Sequence, residues 1–151
     1  DTVTESLTLT GWLYVGVDPE QAFTNALADS IIDVIRLTND ITLTIYHPPR
    51  LELIKNGRQV TLDLNGHVLD LGNTGIAVGG GSVGIMTIMD SRPTAEHKFK
   101  DDGTGLWTLN ADGDKLVKGG VITGGKDTYG GGAIEVGMYG KLIMNGGNIV
   151  G

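Results

Sequence analysis

The sequence predicts an all-β fold, a right-handed single-stranded parallel β-helix (a solenoid) with one N-terminal capping α-helix. Three observations predict it. First, one pattern is written three times. Leu62-Asp63-Leu64-Asn65-Gly66, Thr87-Ile88-Met89-Asp90-Ser91 and Leu142-Ile143-Met144-Asn145-Gly146 each set apolar residues just before Asn or Asp and a small residue. Asn65 and Asp90 stand 25 residues apart and Asp90 and Asn145 stand 55 apart, about two such steps; periods of that size mark stacked repeats. Second, hydropathy alternates with period two in short runs, shorter than strands of a sandwich usually are. Third, the chain holds 25 glycines with no G-X-Y period, yet 40% of its 151 residues are hydrophobic. Glycine on that scale serves repeated corners in a packed structure rather than a disordered linker.

Along the chain, residues 6–17 read as strand, with Leu7, Leu9, Leu13, Val15 and Val17 alternating apart from a slip at Gly11-Trp12. A helix follows over residues 18–30. Asp18 can cap it, Pro19 suits its first position, Glu20 complements its positive end, and Ala22, Phe23, Ala26 and Leu27 share one face. Strands are then predicted over 31–37, 41–45, 51–54, 60–64, 68–71, 76–78 and 83–89, with Asn/Gly or Pro corners between them. The predicted interior is Ile35, Leu37, Ile41, Leu43, Leu62, Leu64, Val68, Ile76, Val78, Ile88, Ile134, Val136, Ile143 and Ile149. Asn65, Asp90 and Asn145 are expected to stack in one corner column. Residues 91–118 break the rhythm, with Leu106-Trp107-Thr108-Leu109 their one strong strand signal, and read as a loop excursion where binding surfaces tend to sit. Residues 1–151 thus form one β-helix domain, with a cap over 1–45. It reads as a fragment of a longer solenoid, because Asp1-Thr2-Val3-Thr4 resembles the start of a mature or excised segment and Gly151 halts on an uncapped strand. Such an edge invites end-to-end or edge self-association at the last rung.

Net charge is −7 with a pI near 4.7. That sign repels phosphate backbones and anionic lipid, so neither nucleic acid nor membrane insertion is expected. There is no cysteine, which rules out disulfides and thiolate metal sites, and no apolar run approaches the ~20 residues of a spanning helix.

Sugar-cleaving chemistry needs clustered carboxylates with a paired acid or a basic partner. Asp63, Asp70, Asp90 and Glu135 are the candidates. Asp63 and Asp70 alternate outward from apolar neighbours, which reads as a solvated face, and Arg92 is the one arginine after Arg58. No catalytic residue is assigned. Asn110-Ala111-Asp112-Gly113-Asp114 resembles half of an oxygen-rich calcium loop without its distal Glu. Asp112 and Asp114 are therefore the metal candidates, against a plain Asp-Gly turn, and no other cofactor is expected. His47, His67 and His97 lack zinc spacing. Gly79-Gly80-Gly81 and Gly130-Gly131-Gly132 lack the helix and Lys-Ser/Thr of a phosphate cradle. Trp107, Tyr129 and Tyr139 could stack on sugar rings, although Trp107 also fits an anchor pinning the excursion to the scaffold.

The text Val60-Thr61-Leu62-Asp63-Leu64-Asn65-Gly66-His67, Gly120-Val121-Ile122-Thr123-Gly124-Gly125 and Leu142 to Gly151 resembles bacterial surface proteins with Gly-rich right-handed parallel β-helix repeats, in the pectate-lyase-like superfold. The resemblance implies that the helix and the strand pair over 35–43 cover one end of the solenoid. It also implies an extracellular or cell-surface location and a non-catalytic adhesin or stalk segment, binding a glycan or another host-surface ligand. A polysaccharide lyase or glycoside hydrolase, and a phage tail-fibre segment, are the alternatives that the superfold leaves open.

Overall fold

The computed structural model describes residues 6–9, 18–44, 51–52, 57–126 and 132–151. Helix α1 (Pro19–Ala28) starts as its sequence dictates: Asp18 Oδ1 accepts the Glu20 N–H at 3.0 Å, and Pro19 occupies the first turn. It ends two residues earlier than predicted because Asp29 turns extended. Its apolar face, Ala22, Phe23, Ala26 and Leu27, is buried in the main core. Glu20 is buried too, accepting from Thr44 N at 2.7 Å and Thr44 Oγ1 at 2.8 Å, which ties the helix to the chain just past Leu43.

Three parallel sheets carry the rest of that core. One contains β1 (Ser6–Leu9), β2 (Val34–Leu37), β5 (Arg58–Asp63), β8 (Gly84–Met89) and β14 (Gly140–Met144), side by side in that order. The second orders β15 (Asn148–Ile149), β12 (Val121–Thr123), β6 (Val68–Asp70) and β3 (Ile41–Thr42). The third orders β13 (Ile134–Val136), β7 (Ile76–Val78) and β4 (Leu51–Glu52). Like lies on like across the strands. Ile35 faces Leu62, Leu62 faces Ile88 and Ile88 faces Met144; Ile41 faces Leu69 and Leu69 lies beside Ile122. Side chains two apart point the same way, so these rows line one interior, where Ile35, Leu62, Leu69, Ile88 and Ile122 are wholly buried.

A fourth sheet is antiparallel: β10 (Trp107–Leu109) and β11 (Lys115–Lys118) flank β9 (Glu96–Asp101). It overturns the expectation of a right-handed single-stranded parallel β-helix. The chain is all-β with one helix, but it divides into several sheets, parallel and antiparallel. The physical reason lies in two turns closed by side chains. Asp102 Oδ1 accepts from Thr104 N at 2.7 Å and Thr104 Oγ1 at 2.6 Å, and Asn110 Oδ1 accepts from Asp112 N at 2.8 Å. The first turn folds β10 straight back on β9, and the second carries the chain past Phe99 to the far edge of β9, where β11 also runs antiparallel to it. The sequence rhythm of 91–118 therefore breaks because it is a three-stranded antiparallel sheet rather than a loop.

Smaller corrections follow the same geometry. Of the predicted interior, the ten residues from Ile35 to Ile88 are buried. Val136 and Ile149 are 46% and 41% exposed, because nothing among the described residues covers the last layer. Ile143 pairs with Thr87 on the outward face, and Leu142 takes the inward place opposite Met86. Val68 packs outward with Val121 against Phe99, in a second small core. Asn65, Asp90 and Asn145 do not form one column. Asp63 pairs with Met89 and Ile88 with Met144, so each of the three is shifted one place from the next. Predicted strand residues 10–17, 45 and 53–54 lie outside the described residues.

Candidate functional site

The corners after β5 and β8 show what the suspected carboxylates do. Asp63 is wholly buried. It accepts from Arg36 Nε at 2.8 Å, Asn65 N at 2.9 Å and Ser91 N at 2.9 Å, and so joins three successive layers. Burial pushes its carboxyl upward, but the hydrogen bonds from Ser91, Arg36 and Asn65 outweigh it and hold the group below the usual carboxylate range. Asp90 accepts from Gly66 N at 2.7 Å and Arg92 N at 3.2 Å through one oxygen, and from Gly120 N at 2.7 Å through the other. Asp70 accepts from Gly72 N at 2.9 Å. Each carboxylate closes a glycine or Asn corner whose N–H groups point away from any ladder. The reading of Asp63 as solvated is corrected: its row meets Arg36 from the preceding layer, which covers it.

Asn65 supplies the left-handed corner, with φ 47°, and its Nδ2 donates to Leu37 O at 3.0 Å. At Gly66, next in the chain, φ is 73° and an added Cβ would meet Arg92 O and Ala95 Cβ. Glycine is required there on both grounds.

The aromatic candidates do not share one element. Trp107 sits on β10 with its ring 6.4 Å from that of Phe99, packed against the small core of Val68, Phe99 and Val121. Its carbonyl accepts from Thr123 Oγ1 at 2.7 Å, a direct tie from the antiparallel sheet to β12. Tyr139 is 64% exposed in the turn before β14, at φ 64°. Tyr129 lies outside the described residues. Asp112 is exposed, and Asp114 is paired with Lys115 at 3.3 Å. Among the described residues no group of three or more His, Cys, Asp or Glu side chains is arranged to hold a metal ion.

Two hollows flank the scaffold. One, about 580 Å³, lies along β2, β5 and β8 and is lined by Asp33, Arg58, Gln59, Thr61, Ile85 and Thr87 among others. Arg58 itself is buried; its Nη2 donates to Ala26 O at 3.1 Å and Leu27 O at 3.3 Å, closing the C-terminal end of α1. Burial lowers its pKa, and Asp29 and Asp33 partly restore it. The other hollow, about 510 Å³, lies beside the last layer between Leu106, Ile134, Leu142, Ile149 and Val150.

Strict alternation divides the antiparallel sheet into two faces, which the sequence reading missed. His97, Phe99, Trp107 and Val117 turn toward the scaffold, and His97 Nε2 lies 2.6 Å from Gly66 O. Glu96, Lys98, Lys100, Thr108, Leu116 and Lys118 are all exposed on the other side. The signal was present in Glu96-His97-Lys98-Phe99-Lys100, where polar residues alternate about a single Phe, but high charge density obscured it.

No helix among the described residues is long and apolar enough to cross a membrane. Searches of curated proteins and of solved structures returned no match. A family model described as "Putative pectate lyase-like adhesive domain" matches residues 14–139, which takes in α1, β2 to β7, the whole antiparallel sheet, and β8, β12 and β13, but neither β1 nor β14 and β15. The chain belongs to the pectate lyase-like adhesive domain family.

Proposed function

We propose that the chain is a non-catalytic segment of a secreted or wall-attached bacterial adhesin or stalk, holding a glycan or another host-surface ligand on a rigid support. Membership of an adhesive-domain family supports the adhesive half of this reading. The observation that carries the non-catalytic half is the engagement of Asp63, Asp70 and Asp90 by corner N–H groups. Asp63, which accepts three hydrogen bonds, is a poor proton donor or base, since its ionised form is held in place. The test is incubation of the chain with polygalacturonate and calcium while the ultraviolet absorbance of an unsaturated product is followed. The reading expects a flat trace with glycan retained on the protein; a rising trace would establish a lyase.

A second element of the reading is self-association at the last layer. It is supported by exposed apolar side chains on β13 and β14: Met144 is 44% exposed beside buried Ile88, and Val136 is 46% exposed beside buried Val78. Sedimentation of the chain should give a species larger than one protomer that dissociates on Met144→Lys. A monomer at every concentration would refute this element and leave the adhesive one standing.

A further inference from the structure

From its charge and its alternation, we infer that the outward face of the antiparallel sheet is a docking surface for an anionic polysaccharide. This deepens the adhesive reading and rests on it.

Lys98 and Lys100 lie two apart on β9, so their side chains leave the same face about 6.8 Å apart along the strand. Leu116 on β11 is directly opposite Lys98, and Thr108 on β10 is directly opposite Lys100. Leu116 is 55% exposed, an aliphatic platform beside the two ammonium groups. Lys118 meets Glu96 at 3.3 Å and Lys115 meets Asp114 at 3.3 Å, while the carboxylates of Asp101 and Asp102 accept from the N–H groups of the turn that follows β9. Lys98 and Lys100 have no ion pair among the described residues. The face therefore presents two adjacent ammonium groups free of ion pairs on a chain whose net charge is −7. An anionic ligand is repelled by much of that surface and drawn to such a pair of neighbouring cations.

The backing is firm. Phe99, between the two lysines in sequence, is wholly buried against Val68 and Val121, and Thr123 Oγ1 ties β10 to the scaffold at Trp107 O. The strand that presents the lysines is thus held in place before any ligand arrives, which lowers the ordering cost of binding.

The size and chemistry of the face select the occupant. Protein partners of stable complexes need about 800 Å² on each side with a packed apolar centre, and a single leucine supplies no such centre. A sugar chain needs less. The C–H face of a ring can lie on Leu116 while its carboxylates or sulfates meet Lys98 and Lys100, and Thr108 Oγ1, which donates to Lys100 O at 3.4 Å, can accept from a ring hydroxyl.

The test measures retention of the full chain on immobilised heparin, hyaluronate, dextran and poly-L-glutamate, with K98Q/K100Q and K141Q as variants. Lys141 is exposed on β14, in a different sheet, and all three lysines are exposed, so thermal melting should match the parent. Retention on heparin or hyaluronate should weaken as salt rises. K98Q/K100Q should bind about tenfold more weakly, and K141Q nearly as well as the parent. Undiminished binding by K98Q/K100Q would overturn the assignment, as would poly-L-glutamate binding as tightly as the anionic glycans. Binding to dextran or host cells without binding to either anionic glycan would overturn this face as the site and leave the adhesive reading intact. Binding to none of them would contradict both.

Discussion

Asp63 has the least obvious part in the structure. An acid flanked by leucines in a strand pattern reads as outward and wet, yet it is wholly buried and accepts from two backbone N–H groups and from Arg36. Arg36 is itself nearly half exposed, so the ion pair is weakened by solvent and most of the value lies in the two N–H groups. Orphaning both in Asp63→Ala should cost about 3 kcal/mol, read as a lower denaturant midpoint. The lowered pKa fixes the sign of the pH dependence. A carboxyl titrating lower in the fold than in the unfolded chain stabilises above the ordinary carboxylate range, and that contribution is lost as pH falls through its folded value. Asp63→Asn should therefore flatten the acid limb of a stability–pH curve; an unchanged limb would contradict the account. Gly120 makes a steric prediction of a different kind. A Cβ there would run into Leu64 Cβ at the head of β12, so Gly120→Ala should destabilise by about 1–3 kcal/mol through overpacking, seen as a drop in Tm.

At the scale of elements, helix α1 was the most legible part of the sequence. Its cap, its Pro and its apolar face all act locally, and each is in place within two residues. The short parallel strands were legible for a related reason: each repeats a row of aliphatic residues at a steady interval. The antiparallel sheet was not, because its strands are rich in lysine and acid and owe their position to Phe99 alone among large side chains wholly buried there. Phe99→Ala should cost about 3–5 kcal/mol, and the loss should be local. Hydrogen exchange is expected to rise through β9, β10 and β11 while β5, β6 and β8 stay protected. Equal loss of protection in both groups would mean that the sheets unfold as one unit. The corner carboxylates explain why the candidate site was misread. Their residue types suit acid–base chemistry, and only the register between layers reveals that backbone N–H groups claim them.

For the whole molecule, the main core runs unbroken from Phe23 of α1 through Leu64 and Ile88 to Ile122. A charge buried in it has no partner to meet. Leu64→Asp should abolish cooperative melting altogether, monitored by circular dichroism; a sharp parental transition would refute this description of the interior. The net charge of −7 describes the chain as a whole but hides the two unpaired lysines on one displayed face, which is why composition alone argued against anionic partners. The account as a whole holds that this family member grips a glycan and leaves it uncut. The most direct measurement is size-exclusion chromatography of a fluorescently labelled acidic polysaccharide with and without the chain. The account predicts co-elution with the protein and, after the protein is removed, a polymer of unaltered length. A polymer shortened by incubation would contradict it.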